Sequence, residues 1–219
     1  MRLFTTIAFL ALTLACQAQF RFSLSTDFDV QRNFSPKQQY WAIGQTIRGE
    51  WHARPRTGFY GWLCYYNWGR FSNELEAVAR DPGTSPAVIP YRNRARMRFT
   101  QLSVGLKHYI KGHFEAEEGW NLYGLAGLGA LMGAVDNSPG IALPDTIQYQ
   151  VPVLDGKHRF NRLTLDLGVG IEMPVGGDLF LYTEARSLIP LTYFPSPIMA
   201  NSYYTPLTGV LAVGVRMLF

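Results

Sequence analysis

The feature that most constrains this chain is an apolar side chain at every second position, sustained through segment after segment. Phe20, Phe22, Leu24, Phe28 and Val30 share one parity, and Arg21, Ser23, Ser25, Asp27 and Asp29 share the other. Leu163, Leu165, Leu167, Val169, Ile171 and Met173 alternate with Arg162, Thr164, Asp166, Gly168, Gly170 and Glu172. Successive side chains of a strand point to opposite faces, so this spacing requires strands with one apolar and one polar face. Eight segments qualify, roughly residues 20–30, 39–53, 58–71, 97–110, 120–135, 160–173, 179–189 and 206–219. Their connections alternate in length. Residues 31–38, 72–96, 136–159 and 190–205 are polar, Pro-containing and mostly long, whereas 54–57, 111–119 and 174–178 are shorter. Long loops at one end and brief turns at the other are the plan of a barrel set in an outer membrane.

Composition agrees. Only 16% of the 219 residues are charged, against roughly 25% in a soluble domain. A mean hydropathy of −0.02 excludes a bundle of apolar membrane helices. The aromatic content of 14% excludes a disordered chain. The formal charge of +4 is modest and lacks the clustered basic stripe of a nucleic-acid binder, so no nucleic-acid partner is expected.

Residues 1–18 read as a cleaved signal peptide: Arg2, an uncharged run from Leu3 to Ala15 too short to span a bilayer, and small residues at Cys16 and Ala18 ahead of cleavage before Gln19. The rival is a lipoprotein signal that would leave Cys16 lipidated. Residues 19–219 then form one domain, and with Cys64 as its only cysteine no internal disulfide is available.

Small residues on the polar face (Gly168, Gly170, Ala212, Gly214) suit a narrow lumen, and abundant Leu and Val suit lipid. Trp41 and Trp51 share a parity on one strand, ten residues apart. On a tilted strand that is about 25 Å along the membrane normal, the separation of two aromatic girdles. The expected fold is therefore all-β, an eight-stranded antiparallel up-and-down transmembrane β-barrel. The last strand carries Leu211, Val213, Val215, Met217 and the terminal Phe219 on one face. It resembles the C-terminal assembly signal of Gram-negative outer-membrane β-barrels. The Gly-rich run Tyr123–Ala130 is similar to the central strand of the small outer-membrane β-barrel families, related in form to the N-terminal barrel of outer-membrane protein A. The resemblance implies residence in the bacterial outer membrane and insertion by the barrel-assembly machinery. It implies no reaction and no cofactor.

An eight-stranded barrel is only wide enough to be filled by side chains. Arg21, Asp27, Asp29, Arg48, Glu50, Arg162, Asp166, Glu172, Glu184, Arg186 and Arg216 are expected to fill it as a paired network, because unpaired buried charge is costly. A row of four arginines, Arg92, Arg94, Arg96 and Arg98, continues the parity of Leu102, Val104 and Leu106. On a regular strand it projects outward at the extracellular boundary, where lipopolysaccharide phosphates lie. A disordered loop, or a bulge that turns the row into the lumen, is the alternative.

Residues Asn73–Arg80 read as a short helix within a long loop, and Cys64 groups with Trp62, Tyr66 and Trp68 as lipid-facing. Tyr149, Tyr193, Phe194, Tyr203 and Tyr204 offer loop aromatics for a partner or for packing between loops. His52 beside Glu50 reads as a lumen hydrogen bonder, and no metal-ligand spacing occurs. The expected role is structural or interaction-based, on lipid, lipopolysaccharide, a surface ligand or a partner protein, and is not enzymatic. The alternatives are a narrow channel or receptor for a small or hydrophobic solute, and a membrane component of a secretion system.

Overall fold

The computed structural model describes residues 21–35, 38–142, 144–192 and 207–219. The signal peptide, Phe20, Tyr193, Phe194, Tyr203 and Tyr204 lie outside the described residues. Nine strands are present among those described: β1 (Phe22–Asn33), β2 (Tyr40–Arg54), β3 (Thr57–Ala79), β4 (Val88–Lys111), β5 (Asn121–Pro139), β6 (Tyr149–Gln150), β7 (Gly156–Gly176), β8 (Leu179–Pro190) and β9 (Thr208–Leu218). All pairings are antiparallel, and β2–β3 pairing closes eight of the strands into a ring, with β6 attached to the edge of β3. The barrel expected from the alternation is the barrel observed.

Its register fixes its shape. Stepping from Trp51 through the ladder partners Phe59, Leu106, Ala126, Leu167, Ser187, Gly209 and Arg32 returns to β2 at Trp41, ten residues from the start. Eight strands with that stagger tilt by about 41° and enclose a backbone radius of about 8 Å. Trp41 and Trp51, both exposed on the outer face, are thus one full circuit of the ladder apart and about 25 Å apart along the barrel axis.

The outer face between them is apolar. Phe28, Ile47, Leu63, Leu102, Val104, Leu128, Leu163, Val169, Leu211 and Val213 all stand exposed on it. A soluble monomer tolerates apolar patches of only a few hundred Å², whereas this belt encircles the molecule and needs lipid. Inside, rings lie against glycines of neighbouring strands. A Cβ at Gly44 would strike Tyr66, one at Gly170 would strike Tyr123, and one at Gly133 would strike Phe160. Glycine on the inward parity is what lets so narrow a lumen hold large rings.

One reading of the loops is corrected. Residues 73–79 form strand, not helix. Glu74 and Glu76 point out while Asn73, Leu75 and Ala77 point in, and pairing with Val88–Asn93 outweighs the helical propensity of the Glu-Leu-Glu-Ala run. As a result β3, β4 and β5 rise beyond the belt as an extended sheet. That sheet has its own apolar cluster of Leu75, Ala77, Tyr91, Tyr149 and Val153. Tyr149, read as a loop aromatic for a partner or for packing between loops, takes the packing role: it is buried in this cluster, where its hydroxyl donates to the Pro86 carbonyl at 3.0 Å.

The parity of β3 is a further correction. Trp62, Cys64 and Tyr66 point into the lumen, while Phe59, Leu63 and Tyr65 face outward. A bulge at Asn67–Trp68, where Trp68 has φ of 63°, then inverts the parity, so Trp68 alone of its presumed group faces out.

Candidate functional site

Of the eleven charges expected in the lumen, ten are buried there: Asp27, Asp29, Arg48, Glu50, Arg162, Asp166, Glu172, Glu184, Arg186 and Arg216. The eleventh, Arg21, is not. It precedes β1, its side chain is 37% exposed, and it pairs with Glu115 below the barrel mouth while lying over the Phe114 ring. The interior at that level is already occupied by Phe114.

Nine interior charges form one continuous chain of alternating sign. Arg186 joins Asp27 at 3.1 Å, Asp29 at 3.2 Å and Glu184 at 3.6 Å. Arg48 grips Glu184 with both nitrogens at 2.5 Å and reaches Glu50 at 3.4 Å. Lys107 bridges Glu50 and Glu172 at 3.1 and 3.2 Å, and Arg216 ends the chain on Glu172 at 2.8 Å. Each cation but the last thus serves at least two carboxylates. Tyr182 donates to Asp27, Tyr123 to Glu184 and Tyr109 to Glu172, all within 2.8 Å. Low dielectric makes such pairs worth having only when their remaining valences are satisfied, and this network largely meets that condition. Lys107 is the member that was missing from the expected set. Its parity marks it as inward, but only register shows it standing between two carboxylates.

Asp166 lies apart from the chain and accepts from Gln101 at 2.8 Å and Thr164 at 2.7 Å. Arg162 lies over the Phe160 ring and donates to the Asn161 carbonyl.

Buried rings stand at both ends of the lumen. Toward the loop end, Tyr40, Tyr66, Met97, Phe99, Leu131 and Phe160 form an apolar layer. At the turn end, residues 112–120 fold under the barrel. Phe114 is buried there, its ring stacked on His52 at 4.2 Å and its carbonyl accepting from Arg216 at 2.9 Å. His52 faces Ser23 at 2.6 Å. This contact looks like a nucleophile with its base, but its geometry does not support that use. Arg216 also donates to the Ser23 hydroxyl, the pair lies behind Phe114, and His52 Nδ1 has no hydrogen-bond partner among the described residues to orient it. No group of histidine, cysteine and carboxylate side chains that could hold a metal occurs among the described residues.

The outer face carries a second constellation. β4 runs unbulged from Arg92 to Leu106, so Arg92, Arg94, Arg96 and Arg98 all project outward in line with Leu102 and Val104. Neither alternative, a disordered loop nor a row turned into the lumen, is what the strand does. Cross-strand register adds neighbours that one-dimensional reading missed. Arg70 of β3 lies directly opposite Arg96. Ala134 of β5 lies between Arg98 on one side and Arg159 of β7 on the other. Lys157 lies opposite Asp136, 3.9 Å away. Arg92 belongs less closely to the group, since Glu74 takes it at 2.8 Å. Arg96 donates to Asn67. Asp136 is also the ladder partner of Arg96 on β5, but among the described residues no carboxylate comes within ion-pair distance of Arg70, Arg94, Arg96, Arg98 or Arg159.

No protein-family model matches the sequence, and no curated protein does. Solved structures do. Neisserial surface protein A superimposes with a TM-score of 0.57 at 12% identity, over 90% of this chain and 97% of that one. Ail of Yersinia pestis, in complex with the heparin analogue sucrose octasulfate, gives 0.51 at 14% identity over 91% and 99%. A major outer membrane protein of Thermus thermophilus gives 0.50 at 11% identity over 90% and 99%. At these identities the likeness is one of fold. The chain has the architecture of the eight-stranded transmembrane barrels of bacterial outer membranes. In that architecture the turn end is periplasmic and the loop end extracellular.

Proposed function

We propose that this protein is an integral outer-membrane barrel that works through its outer surface and its extracellular sheet rather than through its lumen, and that it catalyses no reaction. The observation that carries the reading is the filled interior: nine alternating charges paired across six strands, with an apolar layer above and Phe114 below. A conduit needs mobile water and weakly held ions along its length, whereas these charges hold one another. On the outside, the arginine cluster, cationic in excess of Glu74 and Asp136, and the raised β3–β4–β5 sheet are the surfaces left to act, and an anionic surface component such as lipopolysaccharide is the partner their charge favours.

The test is solute efflux from proteoliposomes holding the folded protein, with folding verified by altered electrophoretic migration of the unboiled sample. Retention of entrapped glucose and chloride at the rate of empty liposomes is the expected result. Efflux that scales with protein content would replace this reading with that of a narrow channel.

A further inference from the structure

We infer that the outer face of β4, β5 and β7 is a seat for a phosphorylated outer-leaflet lipid, with one phosphate held between Arg98 and Arg159 over Ala134. The inference rests on the proposed outer-surface role and names its partner.

The geometry is specific. Arg98 and Arg159 are ladder partners of the same residue, Ala134, so their backbones stand two strand spacings apart, about 10 Å. Ala134 puts only a methyl group between them, leaving a slot that two long guanidinium side chains can close on. Below the slot is a hollow of about 510 Å³, lined by Tyr65, Thr100, Met132 and Asn161 along with the two arginines. Above it, a hollow of about 230 Å³ shares Arg98, Ala134 and Arg159 and adds Arg96 and Lys157 together with one carboxylate, Asp136. The site is therefore graded along the membrane normal, with an acyl-compatible floor at Met132, a cationic clamp at the boundary and, above it, Arg96 and Lys157 on either side of Asp136. Such grading suits a lipid whose phosphates sit at the base of a sugar headgroup and does not suit a free anion.

The charges themselves point the same way. Arg70 directly opposite Arg96 is a like-charge cross-strand pair; Asp136, the ladder partner of Arg96 on β5, offsets part of that charge but leaves Arg98 and Arg159, on either side of Ala134, with no carboxylate across the ladder. Arginine binds phosphate through two parallel N–H donors and stays protonated. By the ladder stagger, Arg98 lies near the height of Trp41, with Arg96 and Arg94 above it, so the clamp lies where the hydrocarbon ends.

The experiment uses the folded barrel in nanodiscs, with native mass spectrometry counting bound lipid. The probes are bis-phosphorylated lipid A, the same lipid stripped of phosphate, and soluble sucrose octasulfate. Wild type should bind the phosphorylated lipid at least tenfold tighter than the stripped one. R98Q/R159Q should bring that ratio near one. A134F, which fills the slot and leaves every charge in place, should do the same. K111Q, which removes a cation at the turn end of β4, stacked on Trp120 and far from the slot, should leave the ratio unchanged.

Should R98Q/R159Q not fold, as judged by its unboiled migration, A134F decides. A wild-type ratio near one, or a ratio indifferent to A134F, overturns the assignment. Sucrose octasulfate bound and lost in the variants, without phosphate preference among lipids, would make the face a site for soluble polyanionic glycans and would equally overturn it. None of these failures opens the lumen. The closed-barrel reading falls only on solute efflux or conductance.

Discussion

Arg48 of β2 and Glu184 of β8 meet across the lumen in a two-pronged contact, both nitrogen–oxygen distances 2.5 Å and both side chains buried. The guanidinium also lies over Trp62, 5.0 Å from its centroid, so its plane is fixed from a third side. This is the central link of the interior chain. Removing one partner of such a buried pair costs about 3–5 kcal/mol, because the other charge is left without a counter-ion. Glu184→Gln should therefore lower the urea midpoint of the detergent-folded barrel and the temperature at which its compact band is lost on gels. Replacing both residues, as R48M/E184L, should recover most of the loss.

Cys64 gives a direct check on the orientation of β3. Its thiol is buried in the lumen, with the Thr46 hydroxyl 3.4 Å away. A water-soluble maleimide should leave the folded protein unlabelled and label it fully after boiling. Rapid labelling of the folded form would put this side of β3 outside the barrel.

Gly44 tests how tightly rings and glycines interlock. A Cβ there would strike the ring of Tyr66 and the carboxylate of Asp29. Gly44→Ala should destabilise the barrel by about 1–3 kcal/mol through overpacking. Adding Tyr66→Leu should restore part of this, measured as the urea midpoint of the double variant against each single one.

Phe114 is the floor of the lumen. Truncating a buried phenylalanine to alanine costs about 3–5 kcal/mol where the site cannot collapse, and here the stacked face of His52 would be uncovered. Phe114→Ala should lower stability and make His52 modifiable by diethyl pyrocarbonate, which should not reach it in the wild type. Mass spectrometry of the modified peptide reads the outcome.

The barrel is legible from sequence wherever one face of a strand is plainly apolar. β1, β7 and β9 read directly, as does the outward turn of Arg92–Arg98, because period two survives unbroken along each of them. β3 does not, for two physical reasons. Its two faces are both aromatic, since Tyr60 and Tyr66 pack inward against glycines and Trp62 against Tyr60 and two arginines, while Phe59 and Tyr65 face out. The bulge at Asn67–Trp68 then exchanges the faces without a sequence mark. The extension of β3 and β4 past the belt is hidden because strands built on pairing override the local helical propensity of residues 73–79. The sites are half legible for a similar reason. Parity says which residues point inward or outward, but only the stagger of the ladder brings Lys107 between Glu50 and Glu172, or sets Arg159 across Ala134 from Arg98.

Single-channel recording in a planar bilayer tests the filled interior most directly. The folded, heat-modifiable protein should add to the membrane without any stepwise current, in wild type and in Phe114→Ala alike, because the charge chain and the apolar layer above it remain. Steady unitary steps from the wild-type protein, altered in size by Glu184→Gln, would contradict the account and make the interior arginines and carboxylates the walls of a path.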